Sequence, residues 1–149
     1  MSRTSITAVA AAAVATITVG GLASTGVSHA APARVGSSHR LSFTSRTLAS
    51  RQVGSAGLIE TDKAVKDGAV IGYTANSCTF DFAAEKAHCL VTLARPRGQL
   101  RTRVTVDNAS GSVRGSVVGG SGVYAGATGT VTGQATGQST VTITLRWTD

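Results

Sequence analysis

The sequence predicts an all-β domain of about eight antiparallel strands. Apolar and polar residues alternate with a period of two along several segments, which places the two sets on opposite faces of a strand. Clusters of Gly, Asp, Asn and Ser interrupt this alternation about every eight to fifteen residues. Such spacing suits hairpins and leaves no room for the helices that connect parallel strands.

The alternation is clearest in Ser139–Trp147 and in Leu100–Asp107, where Arg101, Arg103 and Thr105 share one face. The other predicted strands are shorter and rich in Thr and Val, as half-buried strands are; they are Arg40–Arg46, Leu58–Val65, Val70–Phe82, Cys89–Ala94, Ser112–Val118 and Thr128–Thr136. Eight antiparallel strands close into a barrel or divide into a sandwich, and the local pattern does not choose between them.

The composition indicates one globular domain that does not bind nucleic acid. The 149 residues are 42% hydrophobic, 14% charged and 4% aromatic, with a net charge of +7. This excludes collagen and a disordered chain, and it leaves few rings for stacking on bases. The densest basic cluster is Arg95, Arg97, Arg101 and Arg103, which fits either a site for anionic polymers or a solvated strand face.

The N terminus is typical of a secretory signal peptide over residues 1–30. Arg3 precedes an uncharged apolar run, and small residues follow, so cleavage is expected after Ala30 or Ala33. The alternative, a membrane anchor, needs about 20 apolar residues, more than this run supplies. We therefore predict a secreted protein without stable membrane insertion after cleavage, with a flexible N terminus at 31–39 and a domain at 40–149.

The two cysteines, Cys78 and Cys89, fall late in one predicted strand and early in the next. In an exported protein they are expected to form a structural disulfide within one hairpin, although two free buried thiols are an alternative. Their spacing is not Cys-x-x-Cys, which argues against a redox role. His39 and His88 have no neighbouring ligands at metal-site spacing, so no metal is expected.

The glycine-rich segment Val117–Gly129 resembles the turn shared by plant dirigent proteins and allene oxide cyclases. Glu60-Thr61-Asp62 and the Cys78/Cys89 pair are similar to secreted bacterial members of that superfamily, and the resemblance covers roughly residues 40–147. It implies an eight-stranded antiparallel barrel of the allene oxide cyclase/dirigent type that binds a small apolar molecule. It also implies a homotrimer and no cofactor.

The resemblance suggests a cyclisation or stereoselective coupling guided by the barrel, with Asp62 as a catalytic residue. Tyr73 is the second catalytic candidate, with packing on a neighbouring strand as its alternative role. Tyr124 and Arg103 are candidate ligand contacts, and Tyr124 is alternatively a structural plug. A solvated strand-end Asp62 beside Lys63 is the alternative, and Thr128 stands where dirigent proteins carry an Arg. A non-enzymatic carrier or surface protein that retains only the fold is the second hypothesis. An open cavity with convergent polar groups would favour the enzyme. An interior filled by large apolar side chains would oppose it; these are Phe43, Phe80, Leu93 and Ile143.

Overall fold

The computed structural model describes residues 36–149, which form a closed antiparallel β-barrel of eight strands. Each strand pairs with its neighbours in sequence, and β1 pairs with β8. The prediction of eight antiparallel strands is confirmed. Of the two architectures that the sequence left open, the structure has the barrel and not the sandwich. The strands are β1 Ser38–Val53, β2 Gly57–Lys66, β3 Ala69–Asp81, β4 Lys86–Arg95, β5 Gly98–Asp107, β6 Ser112–Gly122, β7 Thr128–Gly137 and β8 Thr140–Thr148.

Closure depends on the pairing of β1 with β8, which runs from Ser38 opposite Thr148 to Arg46 opposite Thr140. This ladder leaves the sheet without an unpaired edge. It begins before residue 40, because Ser38 and His39 already pair, and His39 Nε2 lies 3.0 Å from Asp149 Oδ1. The predicted signal peptide at residues 1–30 lies outside the described residues. The described part of the chain contains no helix long and apolar enough to cross a membrane.

Three strands, β1, β4 and β6, are longer than the sequence pattern predicts by four residues or more. β4 begins at Lys86 instead of Cys89. β1 continues from Arg46 to Val53, with a register shift between Thr47 and Ala49. A bulge of this kind moves the alternation out of phase, so the pattern after it no longer reads as the same strand. β6 continues beyond Val118 through three glycines and ends at Gly122. Because glycine has no side chain, the sequence shows no alternation of apolar and polar residues over this part of the strand.

Large side chains fill one end of the barrel, near the turns that join β4 to β5 and β6 to β7. Leu100 and Ala127 are fully buried, and Tyr124 packs edge-on against Trp147 with ring centroids 6.0 Å apart. The phenol oxygen of Tyr124 accepts a hydrogen bond from Arg95 Nη1 at 3.0 Å. The glycine-rich segment therefore folds its tyrosine onto this closed end.

The glycines of this segment permit a close approach to the β4–β5 turn. Gly122 has a φ of +61°, and a Cβ there would lie 2.3 Å from the carbonyl oxygen of Arg97. A side chain would therefore meet both an unfavourable backbone conformation and a backbone atom that cannot move aside. At this position the turn needs glycine both for its backbone conformation and for the close approach.

The disulfide joins Cys78 of β3 and Cys89 of β4, which are direct cross-strand partners with Cα atoms 4.0 Å apart. The predicted pairing is confirmed, and the described residues contain no free cysteine. Both cysteines are buried on the inner face of the barrel. The bridge thus joins two strands inside the barrel wall. By the chain-entropy model a loop of this length stabilises the fold by about 3 kcal/mol.

Substituting Gly122 by Ala tests the close approach against a matched control. Gly54 has a φ of +63°, nearly that of Gly122, but a Cβ added there would have no atom within 4 Å. We expect Gly54→Ala to lower the free energy of unfolding by about 1 kcal/mol, from backbone conformation alone. Gly122→Ala adds an overlap and should cost about 1–3 kcal/mol more. Equal losses in urea denaturation would contradict the packing at the closed end.

Candidate functional site

The other end of the barrel holds an open cavity of about 360 Å³. Asn108 in the β5–β6 turn and Gln138 and Ser139 in the β7–β8 turn lie at its mouth. Phe43, Phe80, Leu93 and Ile143 line the cavity without filling it. These four side chains therefore do not close the interior. The observation that would have argued against the enzyme hypothesis is not found.

Small inward-facing side chains create this space. An eight-stranded barrel has an interior just wide enough to be filled by side chains or to hold one small ligand. Here the inner positions carry many short residues, among them Thr74, Ala87, Thr102, Val104 and Val113. The low aromatic content of the sequence thus has a structural consequence, which is an interior that stays partly empty.

One side of the cavity wall is polar, and it is built by three neighbouring strands. Each strand contributes two polar residues spaced two apart, so that both side chains of a pair face inward. Across the sheet, Glu60 lies opposite Asn76, and Asp62 lies opposite both Thr47 and Thr74. We call this set the polar strip; it consists of Ser45 and Thr47 from β1, Glu60 and Asp62 from β2, and Thr74 and Asn76 from β3.

Asp62 is the buried centre of the polar strip, with 6% of its surface exposed. Its Oδ2 accepts three hydrogen bonds of 2.8 Å, from Ser45 Oγ, Thr74 Oγ1 and Asn76 Nδ2. Three donors from two strands fix the orientation of the carboxyl group and offset the loss of its hydration. The alternative of a solvated strand-end carboxylate beside Lys63 is excluded by this burial.

Two buried oxygen atoms of the polar strip accept no hydrogen bond from any described residue. They are Asp62 Oδ1 and Asn76 Oδ1. A buried acceptor without a donor costs about 1–3 kcal/mol. The strip is therefore short of hydrogen-bond donors, and a proton on a neighbouring carboxyl or a donor on a bound molecule would supply what it lacks.

Glu60 is the second carboxyl of the strip, and Thr47 Oγ1 donates a hydrogen bond to its Oε1. Burial raises the pKa of Glu60 above its usual value. The negative charge of Asp62 raises this pKa further, while the hydrogen bond from Thr47 acts in the opposite direction. Glu60 consequently keeps its proton to higher pH than an exposed glutamate does.

The two carboxyls have unequal environments. Asp62 is held by three donors, whereas Glu60 has one donor and a raised pKa. Pairs of carboxyls placed in different environments can divide the roles of proton donor and proton acceptor.

Within the described residues, no group of three or more His, Cys, Asp or Glu side chains is placed to hold a metal ion.

The structure does not bring the other predicted site residues to Asp62. Tyr73 is 57% exposed on the outer face of β3, because its neighbour Thr74 faces the cavity. Arg103 also points outward, since Thr102 and Val104 face the cavity. Tyr124 is packed at the closed end and does not line the cavity. Their predicted catalytic and ligand-contact roles stay predictions without support from the cavity geometry.

Sequence reasoning missed most of the polar strip. It places Glu60 in a motif but not in the site, and it does not identify the hydroxyl and amide partners of Asp62. The signal is present as polar pairs spaced two apart in three consecutive strands: Ser45/Thr47, Glu60/Asp62 and Thr74/Asn76. As inward-facing pairs, they indicate a polar patch in the barrel interior.

Solved structures share this architecture. A pterocarpan synthase dirigent protein superposes with a TM-score of 0.66 at 13% sequence identity, over 84% of this chain and 98% of its own. The chain has a dirigent-type barrel fold. An exo-specific intermolecular Diels–Alderase matches this barrel with a TM-score of 0.60 at 16% identity, over 76% of this chain and 100% of its own.

A pyocyanin demethylase also matches the dirigent-type barrel, with a TM-score of 0.62 at 17% identity, over 73% of this chain and 99% of its own. No family model and no curated protein matches the sequence. At these identities the likeness concerns the fold. Because a demethylase and a Diels–Alderase share it, the fold by itself does not select a reaction, and the residues of the cavity must.

The pH dependence of stability tests the environment of Glu60. A carboxyl whose pKa is raised by folding binds more protons in the folded than in the unfolded state, so its contribution to stability falls as pH rises above the unfolded value of about 4.3. We expect the wild type to lose stability relative to Glu60→Gln across this rise, measured by urea denaturation from pH 4 to pH 8. The opposite trend would show that the folded protein favours the ionised form of Glu60.

Proposed function

We propose that the barrel binds one small, largely apolar molecule and guides its cyclisation or coupling, with the Glu60–Asp62 pair acting on its polar group. The observation that carries this proposal is a pair of inward-facing carboxyls, one of them almost fully buried, in the wall of an otherwise mostly apolar open cavity. Buried carboxyls are costly for a barrel that needs only to fold, so their presence beside an open volume suggests chemistry.

The size of the cavity suits the proposed ligand. A volume of about 360 Å³ lies at the lower end of small-molecule sites, which span roughly 300–1,000 Å³. Apolar walls on the β4–β8 side would hold the body of the molecule and exclude water. Holding a flexible precursor in one conformer lowers the barrier to ring closure by orientation alone.

The carboxyl pair supplies the polar step of the proposed mechanism. Glu60 in its protonated form donates a hydrogen bond or a proton to a substrate oxygen as negative charge develops there. Asp62, fixed by Ser45, Thr74 and Asn76, accepts a proton from the substrate at its free Oδ1. The raised pKa of Glu60 supports its assignment as the donor.

Two solved barrels of the same fold support ring formation as one reaction that such a barrel can guide. One is a Diels–Alderase and another is a dirigent protein, and a Diels–Alder reaction forms a ring through positioning of its reactants. We carry ring formation to this chain as part of the proposal. A demethylase has the same fold, so the residues of the cavity, and not the barrel itself, determine which reaction is catalysed.

We further propose that the protein works outside the cytoplasm. The Cys78–Cys89 disulfide supports this location, because such bridges persist in oxidising compartments. The predicted signal peptide over residues 1–30 supports it independently. Mass spectrometry of protein recovered from culture medium tests the location, through a mature N terminus at residue 31 or 34.

Filling the cavity tests ligand binding. Val91 lines the cavity, whereas Val118 lies on the outer face and is 45% exposed. We expect Val91→Phe to weaken binding of 2-naphthalenemethanol at least about tenfold, because the added ring occupies ligand volume, while Val118→Phe leaves binding unchanged. Isothermal titration calorimetry provides the measurement. Equal affinities of the two variants, both folded, would contradict binding in the barrel.

Conversion is tested on the protein's own ligand. Native mass spectrometry of protein from its culture identifies a retained small molecule, which is then incubated with the purified protein. We expect Asp62→Asn to slow formation of the cyclised or coupled product about 10²-fold or more, while Asp67→Asn at an exposed turn position does not. Binding without conversion by the wild type would identify a carrier and contradict the enzymatic proposal.

A further inference from the structure

The cavity is acidic although the protein is basic. The whole chain carries 14 Lys and Arg against seven Asp and Glu. Among the described residues that line the cavity, Glu60 and Asp62 carry the ionisable side chains, and no Lys, Arg or His is present. The basic side chains of the described strands lie elsewhere, as Arg101 and Arg103 do on the outer face of β5. A charged ligand would therefore meet negative charge without a compensating cation.

The polar strip also lacks hydrogen-bond donors within the cavity wall. Asp62 Oδ1 and Asn76 Oδ1 are buried acceptors without partners, and Asp62 is more than nine-tenths buried. Asn76 lies opposite Glu60 in the β2–β3 register and donates its amide hydrogen to Asp62. These three side chains thus form one cluster that offers acceptors and negative charge.

We propose that the ligand of this cavity is an amine, bound as its ammonium ion by Glu60, Asp62 and Asn76. This inference rests on the proposed function, and it narrows the ligand class. An ammonium group brings several N–H donors and one positive charge, which matches the unfilled acceptors and the carboxyl pair. The apolar body of the amine lies against Phe43, Phe80 and the valines of the opposite wall.

Other polar groups fit this cluster less well. A hydroxyl group has a single donor, so it leaves one of the two oxygens Asp62 Oδ1 and Asn76 Oδ1 without a partner. A carboxylate has no donor at all, and in a site of low dielectric it would be repelled by Asp62. The cavity should consequently discriminate by charge in the order amine, alcohol, carboxylate.

Binding of an ammonium ion is coupled to one proton. Glu60 lies opposite Ser50 of β1 and Asn76 of β3, and Thr47 of β1 donates a hydrogen bond to it. Asp62 follows two residues later on its own strand and faces the same cavity. Asp62 is the charged group among them. The positive charge of the bound ammonium ion favours the ionised form of Glu60, so the affinity for the amine rises as pH rises through the Glu60 pKa. In this complex the ammonium N–H groups take the place of the Glu60 proton as the donor of the proposed step.

A matched series of naphthalene compounds tests the inference by calorimetry at pH 7.5. We expect 2-naphthylmethylamine to bind about tenfold more tightly than 2-naphthalenemethanol, since hydrogen bonds to charged groups are stronger than neutral ones. We expect 2-naphthoate to bind more weakly than both. If the alcohol or the carboxylate binds as tightly as the amine, the inference is wrong, while binding in the barrel still stands. If none of the three binds, the proposed function fails as well.

Two substitutions identify the charge responsible. Asp62→Asn should reduce the preference for the amine over the alcohol to about twofold or less, and Glu60→Gln should do the same without disturbing the hydrogen bonds to Asp62 Oδ2. Asp67→Asn is the control, because it removes one negative charge from an exposed turn position with its side chain 86% accessible. An unchanged preference in folded Glu60→Gln and Asp62→Asn would overturn the inference.

Discussion

The hydrogen-bonded closure of β1 onto β8 is the constraint on which the rest of the molecule depends. It forces every second residue of eight strands into one narrow interior. At one end Trp147, Tyr124 and Leu100 are buried in that interior. At the other end short side chains leave about 360 Å³ open. One end of the barrel is therefore a packed core and the other end is a cavity. The size of the inward-facing side chains determines which end is which.

The polar strip follows from the same closure, because pairs of residues on three adjacent strands meet on one wall. Asp62 remains buried because Ser45, Thr74 and Asn76 satisfy its Oδ2. Glu60 shares this wall, where burial and the charge of Asp62 both disfavour its ionised form and raise its pKa. The result is one anchored carboxyl beside one whose pKa is raised. Carboxyls in such unequal environments can serve as a general acid and a general base towards a bound molecule, as proposed above.

The alternation of residues was sufficient to predict all eight strands, and the resemblance added barrel closure. The alternation did not predict the full length of β1, because a bulge near Leu48 changes its phase. It also did not predict the end of β6, because glycines continue that strand to Gly122. Asp62 came from the resemblance, but its partners are distant in sequence and depend on strand register. The outward positions of Tyr73 and Arg103 follow from the alternation itself, since their neighbours face inward. The alternation could not predict the burial of Tyr124, because this residue lies in the β6–β7 turn, where side chains do not alternate between two faces.

The proposed chemistry depends most on the protonation of Glu60 inside the folded barrel, which carboxyl-carbon NMR measures directly. In a pH titration of the intact protein, the Glu60 carboxyl should titrate above the ordinary glutamate value of about 4.3. Its midpoint should fall when Asp62 is replaced by Asn, because the neighbouring negative charge is gone. A Glu60 midpoint at or below the ordinary value, unaffected by Asp62→Asn, would contradict a proton held by the carboxyl pair.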